Sequence, residues 1–448
     1  MIVSILATRL ATPGAAAEPA PLSFSKDIAP ILQQKCVTCH GPEKSKGHFQ
    51  LHTYAALRKG GESKEPSITP GQPARSKLYQ LLTAKDADDR MPQKDDPLPA
   101  AQIRLIERWI LEGAKCDAAD PEATLASLLP PATYPDPPAS YAQPVPVLAL
   151  AFSPDGTELA ASGYHEITIW NPADGALLRR IKHIAQQTQA LSFSPDGGLL
   201  AAGGGVPGRV GEVKLIDPKN ASILRTLGAT TDFVLALAFS PDGQRLATGG
   251  ADNAIRLYDV ASGKEERRIE QHADWVIGLA FSPDGRQIAS ASRDKSVRLF
   301  DSKSGELEET YTGHSQGVSA VAFSRDGEFV FSGGNDKEIQ VWQTKDAKKI
   351  STLGGFTGEV LRLLVSGDQV FSCSVDHQVR QHQFVGKKST LVHTFSGHRD
   401  VVYAVAYHEP TKRLASGSFD GEVRVWDVGS GNLLTNFTAA PGYLAARR

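Results

Sequence analysis

Cys36-Val37-Thr38-Cys39-His40 sets two thiols three residues apart and an imidazole directly after the second. On one helical turn, thiols at that spacing can add across the two vinyl groups of a haem. The adjacent histidine then lies beneath the iron as an axial ligand. Other chemistries of a cysteine pair fit less well. Zinc needs a second pair of ligands, and the chain has no other Cys-x-x-Cys. A thioredoxin-like pair belongs in a βαβ pattern, which this segment lacks. Five residues can match by chance, so the flanking elements must decide.

Upstream, Phe24, Ile28, Ile31 and Leu32 follow the i, i+4, i+7, i+8 spacing of one helix face, with Ser23 or Ser25 as opening cap. Downstream, Pro99 introduces a second helix carrying Ile103, Ile106, Trp109 and Ile110 on one face and ending at Gly113. Two helices around the attachment turn would let Phe24 and Trp109 cross near the haem edge, or serve simply as core. A sixth iron ligand is then needed. If processing removes Met1, Met91 is the single methionine left. It lies in the polar loop Asp88-Asp89-Arg90-Met91-Pro92, a poor place for a core residue and a reasonable one for a thioether ligand. A plain surface role for Met91, or ligation by His48 or His52, are the alternatives.

The chain has 448 residues, more than one core usually supports, with 41% apolar and 22% charged residues in an ordinary globular balance. A net charge of −2 offers no general polycation for nucleic acid or membrane surfaces. No apolar run reaches the roughly 20 residues of a membrane span. Residues 1–21 are signal-like: a short apolar start, interrupted by Arg9, precedes an Ala15-Ala16-Ala17 cleavage-type site. Residues 22–116 read as a small, mostly helical domain. Residues 117–147 hold eight prolines and read as a semi-rigid linker. Residues 148–438 are repetitive, and 439–448 form a tail.

In the repetitive region an apolar strand leads into Phe-Ser-Pro-Asp-Gly at Phe152, Phe193, Phe239 and Phe281, with Arg replacing Pro after Phe323. Val365 and Tyr407 keep the phase, so the intervals are 41, 46, 42, 42, 42 and 42. Seven units of about 42 residues with four strands each mean propeller blades. The extra residues of unit two lie in Gly203–Arg209, a flexible insertion or an anion cradle, but no phosphate-binding P-loop. The last strand follows its own unit, so blade seven is expected to be completed from the C-terminal segment.

These units resemble WD-repeats, in which a His, a Ser/Thr, an Asp and a Trp form a buried hydrogen-bonded tetrad. His314, Ser332, Asp336 and Trp342 stand at offsets 0, 18, 22 and 28, and His398, Ser416, Asp420 and Trp426 repeat them. His272, Ser290 and Asp294 do so with Phe300 last. Unit three keeps Thr248, Asp252 and Tyr258 without the His; units one, two and six are degenerate. Recurrence at fixed offsets marks scaffold, not catalytic triads.

Residues 24–116 resemble the planctomycete-type cytochrome c domain through Phe24, Asp27-Ile28, Pro30-Ile31-Leu32, Cys36–Gly41, Leu51, Gly60-Gly61, Pro70-Gly71, Ser76-Lys77-Leu78, Arg90-Met91-Pro92, Leu98 and Trp109-Ile110. The resemblance implies one covalent haem c on Cys36 and Cys39, with His40 and Met91 axial. Gln93 stands where the family usually has a second proline. The expected whole is a multidomain chain, a small all-α cytochrome c-like domain followed by an all-β seven-bladed WD-repeat propeller. It would be an exported, periplasmic electron carrier whose propeller docks a protein redox partner. The alternatives are a scaffold with a structural or redox-sensing haem, or the electron inlet of an oxidoreductase, although no ligand set for a second cofactor is evident. No catalytic residue is assigned. Cys116 and Cys373 are left over, more readily unpaired than bridged.

Overall fold

The structure is a computed structural model that describes residues 21–41, 46–62, 65–93, 97–129, 134–206, 210–230 and 232–443. The signal-like reading falls almost wholly outside these residues, and so does the 207–209 end of the glycine-rich loop. The chain divides into two compact units, Met1–Pro130 and Pro131–Arg448. No helix among the described residues is long and apolar enough to cross a membrane.

In the first unit Ser23, not Ser25, is the opening cap: its Oγ accepts from the Lys26 amide at 3.0 Å. A turn of π-helix, Phe24–Ile28, runs into α1 (Ala29–Lys35), and Phe24, Ile28, Ile31 and Leu32 are all buried. Then come α2 (Val37–His40), α3 (Tyr54–Lys59, capped by Thr53), α4 (Lys77–Leu82), α5 (Ala100–Leu111) and α6 (Leu125–Leu128). Pro99 is the cap of α5, and Gly113 beyond its end has the positive φ of +97° that favours glycine. Phe24 and Trp109 do cross, with ring centroids 5.4 Å apart, and Tyr54 meets both rings edge-on. Burying three aromatics together anchors the first and fifth helices.

Segment 117–147 is engaged at both ends rather than serving as a spacer throughout. Thr124 bridges to Thr53, and Leu125 is fully buried in the first unit's core. From the other end, the carbonyls of Pro138 and Ala139 accept from Arg180, and Tyr141 donates to Glu166 at 2.6 Å.

The second unit is a ring of seven four-stranded antiparallel sheets, each built from consecutive strands. The blades span 150–182, 187–230, 234–269, 276–311, 318–353, 360–395 and 402–438. The turn joining the first two strands is fixed the same way five times. A serine hydroxyl donates to the aspartate two residues on, at 2.5–2.7 Å, in the pairs Ser153–Asp155, Ser194–Asp196, Ser240–Asp242, Ser282–Asp284 and Ser324–Asp326. These bonds hold the aspartates below the usual carboxylate range, Asp155 at about 2.

The recurrent polar sets form, but not identically. His272 and His314 bridge their serine and aspartate with Nε2–Oγ distances of 2.7 and 2.8 Å. The Trp342 indole N–H has no hydrogen-bond partner among the described residues; its ring stacks on Tyr311 instead, with centroids 5.1 Å apart. In blade seven, His398 and Trp426 both reach Ser416, at 2.7 and 3.0 Å, while His398 Nδ1 has no hydrogen-bond partner. Blade six puts His382, and blade two Ile216, where the other five carry Trp, Tyr or Phe.

Closure needs no strand exchanged between the ends of the ring. At each of three internal interfaces a second-strand glycine faces the leading valine of the next blade: Gly203–Val234, Gly249–Val276 and Gly333–Val360. A Cβ on the glycine would come within 2.6–2.9 Å of that valine's Cγ1. Gly417 of blade seven repeats the arrangement against Val147, which leads into blade one. The Val147 amide donates to the Ser418 carbonyl at 3.0 Å, and Ser140 and Tyr141 bond the carbonyls of Gly442 and Pro441. The lead-in and tail thus form a clasp.

Glu166 is the ionic centre of that clasp: fully buried, it takes Arg180 through two bonds of 2.6 and 2.8 Å besides Tyr141. Glu166→Ala should therefore cost about 3 kcal/mol by stranding Arg180, and Tyr141→Phe about 1 kcal/mol; urea unfolding measures both. His382 and His398 are held neutral by burial, at about 4 each. An unfolded histidine titrates near 6.5, so the unfolded chain binds protons first as pH falls. The stability they contribute is complete above about pH 6.5 and lost as pH falls toward 4. The urea midpoint should drop across that window, and His382→Gln with His398→Gln should flatten the drop.

Candidate functional site

The carbonyl of Cys36 accepts from the amides of both Cys39 and His40, at 3.1 and 3.0 Å. The Cys36 amide meanwhile closes α1 onto Leu32 at 2.9 Å. Cys36 is thus the C-cap of α1 and the N-cap of α2, so the motif is held as one rigid turn. The loop after it packs back: Leu51 donates to the His40 carbonyl at 2.8 Å, and the Phe49 carbonyl lies 3.2 Å from His40 Nδ1. With Nδ1–H on that carbonyl, Nε2 is the nitrogen left with a lone pair to offer a metal.

A cavity of about 680 Å³ opens beside this turn, a volume ordinary for a cofactor. Phe49, Leu51 and the α4 residues Leu78 and Leu82 give it apolar walls, with Leu81 beside them. Cys36, His40 and Met91 all line it. Met91 is tied to α4 through its amide, which donates to Leu81 at 3.0 Å. The loop before it is cross-braced: Arg90 donates to the Asp86 carbonyl at 3.1 Å and Gln93 to the Asp88 carbonyl at 2.8 Å. Gln93 thereby ties the loop where the family resemblance leads one to expect a second proline. The rim is polar, with Lys77 paired to Glu65 at 2.9 Å.

The two histidines considered as rivals stay outside. His48 is exposed and 3.4 Å from Glu62, and neither it nor His52 lines the cavity. Cys39 is exposed, whereas burial and the neighbouring Cys39 push the Cys36 thiol up to about 12. Zinc takes four donors of the Cys, His and carboxylate kinds, and this cavity offers one cysteine and one histidine against an apolar wall, Glu62 and Glu65 being drawn to His48 and Lys77 at its rim. An imidazole and a thioether facing one apolar cavity with two thiols alongside suit a covalently held haem. Cys36 and Cys39 would carry it, with His40 and Met91 as donors to the iron.

The remaining cysteines are free thiols. Cys373 takes the position that glycine fills in blades two, three, five and seven, packed with Val402 in a buried cluster; burial pushes its thiol up to about 12. Sequence reasoning missed Phe49, whose contribution is a backbone carbonyl and so carries no residue-type signal. It also missed the bracing role of Gln93.

The family model "Planctomycete cytochrome C" matches residues 36–95, spanning the attachment turn and Met91. The model "WD domain, G-beta repeat" matches 139–171, 221–259, 263–301, 305–343 and 389–427. Blades two and six, whose tetrads are degenerate, lack a match over their first three strands, whereas blade one is matched as a repeat. Among curated proteins, Target of rapamycin complex subunit wat1 of Schizosaccharomyces pombe is 34% identical over 80 residues, 18% of this chain and 26% of that protein. The chain therefore spans about a quarter of that relative's length. From the site, the sheet order and these matches together, the chain joins a planctomycete-type cytochrome c domain to a seven-bladed WD-repeat β-propeller.

Proposed function

We propose that this protein is an exported c-type cytochrome that carries single electrons, with its propeller as the module that docks a redox partner. The observation that carries the reading is the meeting of His40 and Met91 on one apolar cavity, beside a rigid turn bearing two thiols. Bound there, a haem would supply one-electron chemistry between ferric and ferrous iron. The residues' own tasks follow from the geometry. The Phe49 carbonyl orients His40, the Met91–Leu81 bond sets the thioether, and the leucines of α4 keep water from that side of the pocket. With both donors supplied by the protein, no position is left for substrate, which favours electron transfer over catalysis. In bacteria haem is attached outside the cytoplasmic membrane, so this reading carries export with it. The propeller's part rests on the WD-repeat match and on the loops that seven blades present.

Visible and near-infrared spectra of protein co-expressed with a haem-maturation system test this proposal. A c-type spectrum with a Met-to-iron charge-transfer band that disappears in Met91→Ala is expected. A bis-histidine or open-site spectrum in the unaltered protein would contradict it.

A further inference from the structure

A channel runs among the seven inner strands of the propeller, with a volume of about 170 Å³. At one level, three residues before the Phe/Val/Tyr of each repeat, the inner strands contribute Ala149, Ala190, Ala236, Gly278, Ala320, Arg362 and Ala404, all lining it. Six are Ala or Gly, and the seventh is an arginine. Its guanidinium bonds the carbonyl of Leu361 at 3.1 Å and, on blade two, that of Gln189 at 3.5 Å. Reaching from blade six to blade two, the side chain occupies room that the small residues leave.

An arginine has five N–H donors, and these two bonds use few of them. Among the described residues no carboxylate lines the channel, and its other polar side chains are Gln189 and Ser319. Burial holds the guanidinium below the usual arginine range. Among the described residues, the two arginines whose whole side chains are buried in the blades each have a counter-charge, Arg256 with Asp252 at 2.6 Å and Arg380 with Asp376 at 2.9 Å. Charges withdrawn from water are costly unless paired. A guanidinium fork matches an oxyanion of two or more oxygens.

We propose that the propeller channel is an anion site, in which Arg362 takes one carboxylate or phosphate group. The group arrives either as a free anion or on the acidic side chain of a docked peptide. The site is independent of the haem reading.

Thermal unfolding of the full-length protein tests it, in inorganic phosphate, acetate or chloride at matched ionic strength. Phosphate or acetate should raise the propeller midpoint saturably, by about 2–4 °C. In Arg362→Met the midpoint should not respond. In Arg362→Lys, which keeps the charge but loses the fork, half-saturation should need at least about tenfold more anion. A capped peptide with a single central glutamate separates the sources: half-saturation below that of acetate assigns the group to a peptide, and equality assigns it to a free anion. An unaltered protein that melts alike in all three salts, or an Arg362→Met variant that responds as the parent does, would overturn the proposal.

Discussion

Two amide hydrogens converge on the carbonyl of Cys36, and the candidate site depends on that convergence. It makes Cys36, Cys39 and His40 a single turn, so the thiols and the imidazole have one relative geometry. The remainder of the small unit can be understood as support for this turn. α1 delivers it, the Phe24–Tyr54–Trp109 cluster fixes α1 against α5, and residues 49–51 return to orient the ring. Met91 reaches the same cavity through α4, to which its amide is bonded. The candidate donors, one on α2 and one on a loop bonded to α4, thus rest on helices.

The propeller obeys a different constraint, steric rather than coordinative. Glycine on a second strand leaves a hole for the next blade's leading valine, and the same fit at Gly417 and Val147 closes the ring. Many closed rings could be built on one such repeating contact, but this one adds a clasp. The clasp draws on residues 138–147, which a proline count alone marks as linker. Prolines there supply carbonyls without competing donors, and Arg180 uses one of them.

Much of this architecture was legible because it is periodic or made of side-chain types. The phase of the Phe-Ser turns carries the blade number, and the spacing of Phe24, Ile28, Ile31 and Leu32 carries the first helix. The cysteine pair with its histidine suggests a chemistry, and the helices flanking it make that chemistry the candidate. Illegible parts depend on backbone atoms or on distant partners. Phe49 acts through a carbonyl, Gln93 through a bond to the Asp88 carbonyl, and Tyr141 through Glu166, 25 residues away. The tetrad pattern overstated uniformity for the same reason: residue type places Trp342 beside Ser332, but stacking on Tyr311 decides its orientation. Arg362 was invisible as well, since only the ring of small residues around it gives one arginine meaning.

Intact mass of the protein co-expressed with a haem-maturation system tests covalent attachment at the turn most directly. A mature protein heavier than its polypeptide by one haem after acid denaturation is expected. That mass should map to the peptide containing Cys36 and Cys39 and vanish when both are replaced by alanine. A mature chain at its bare polypeptide mass, with both thiols open to alkylation, would contradict it.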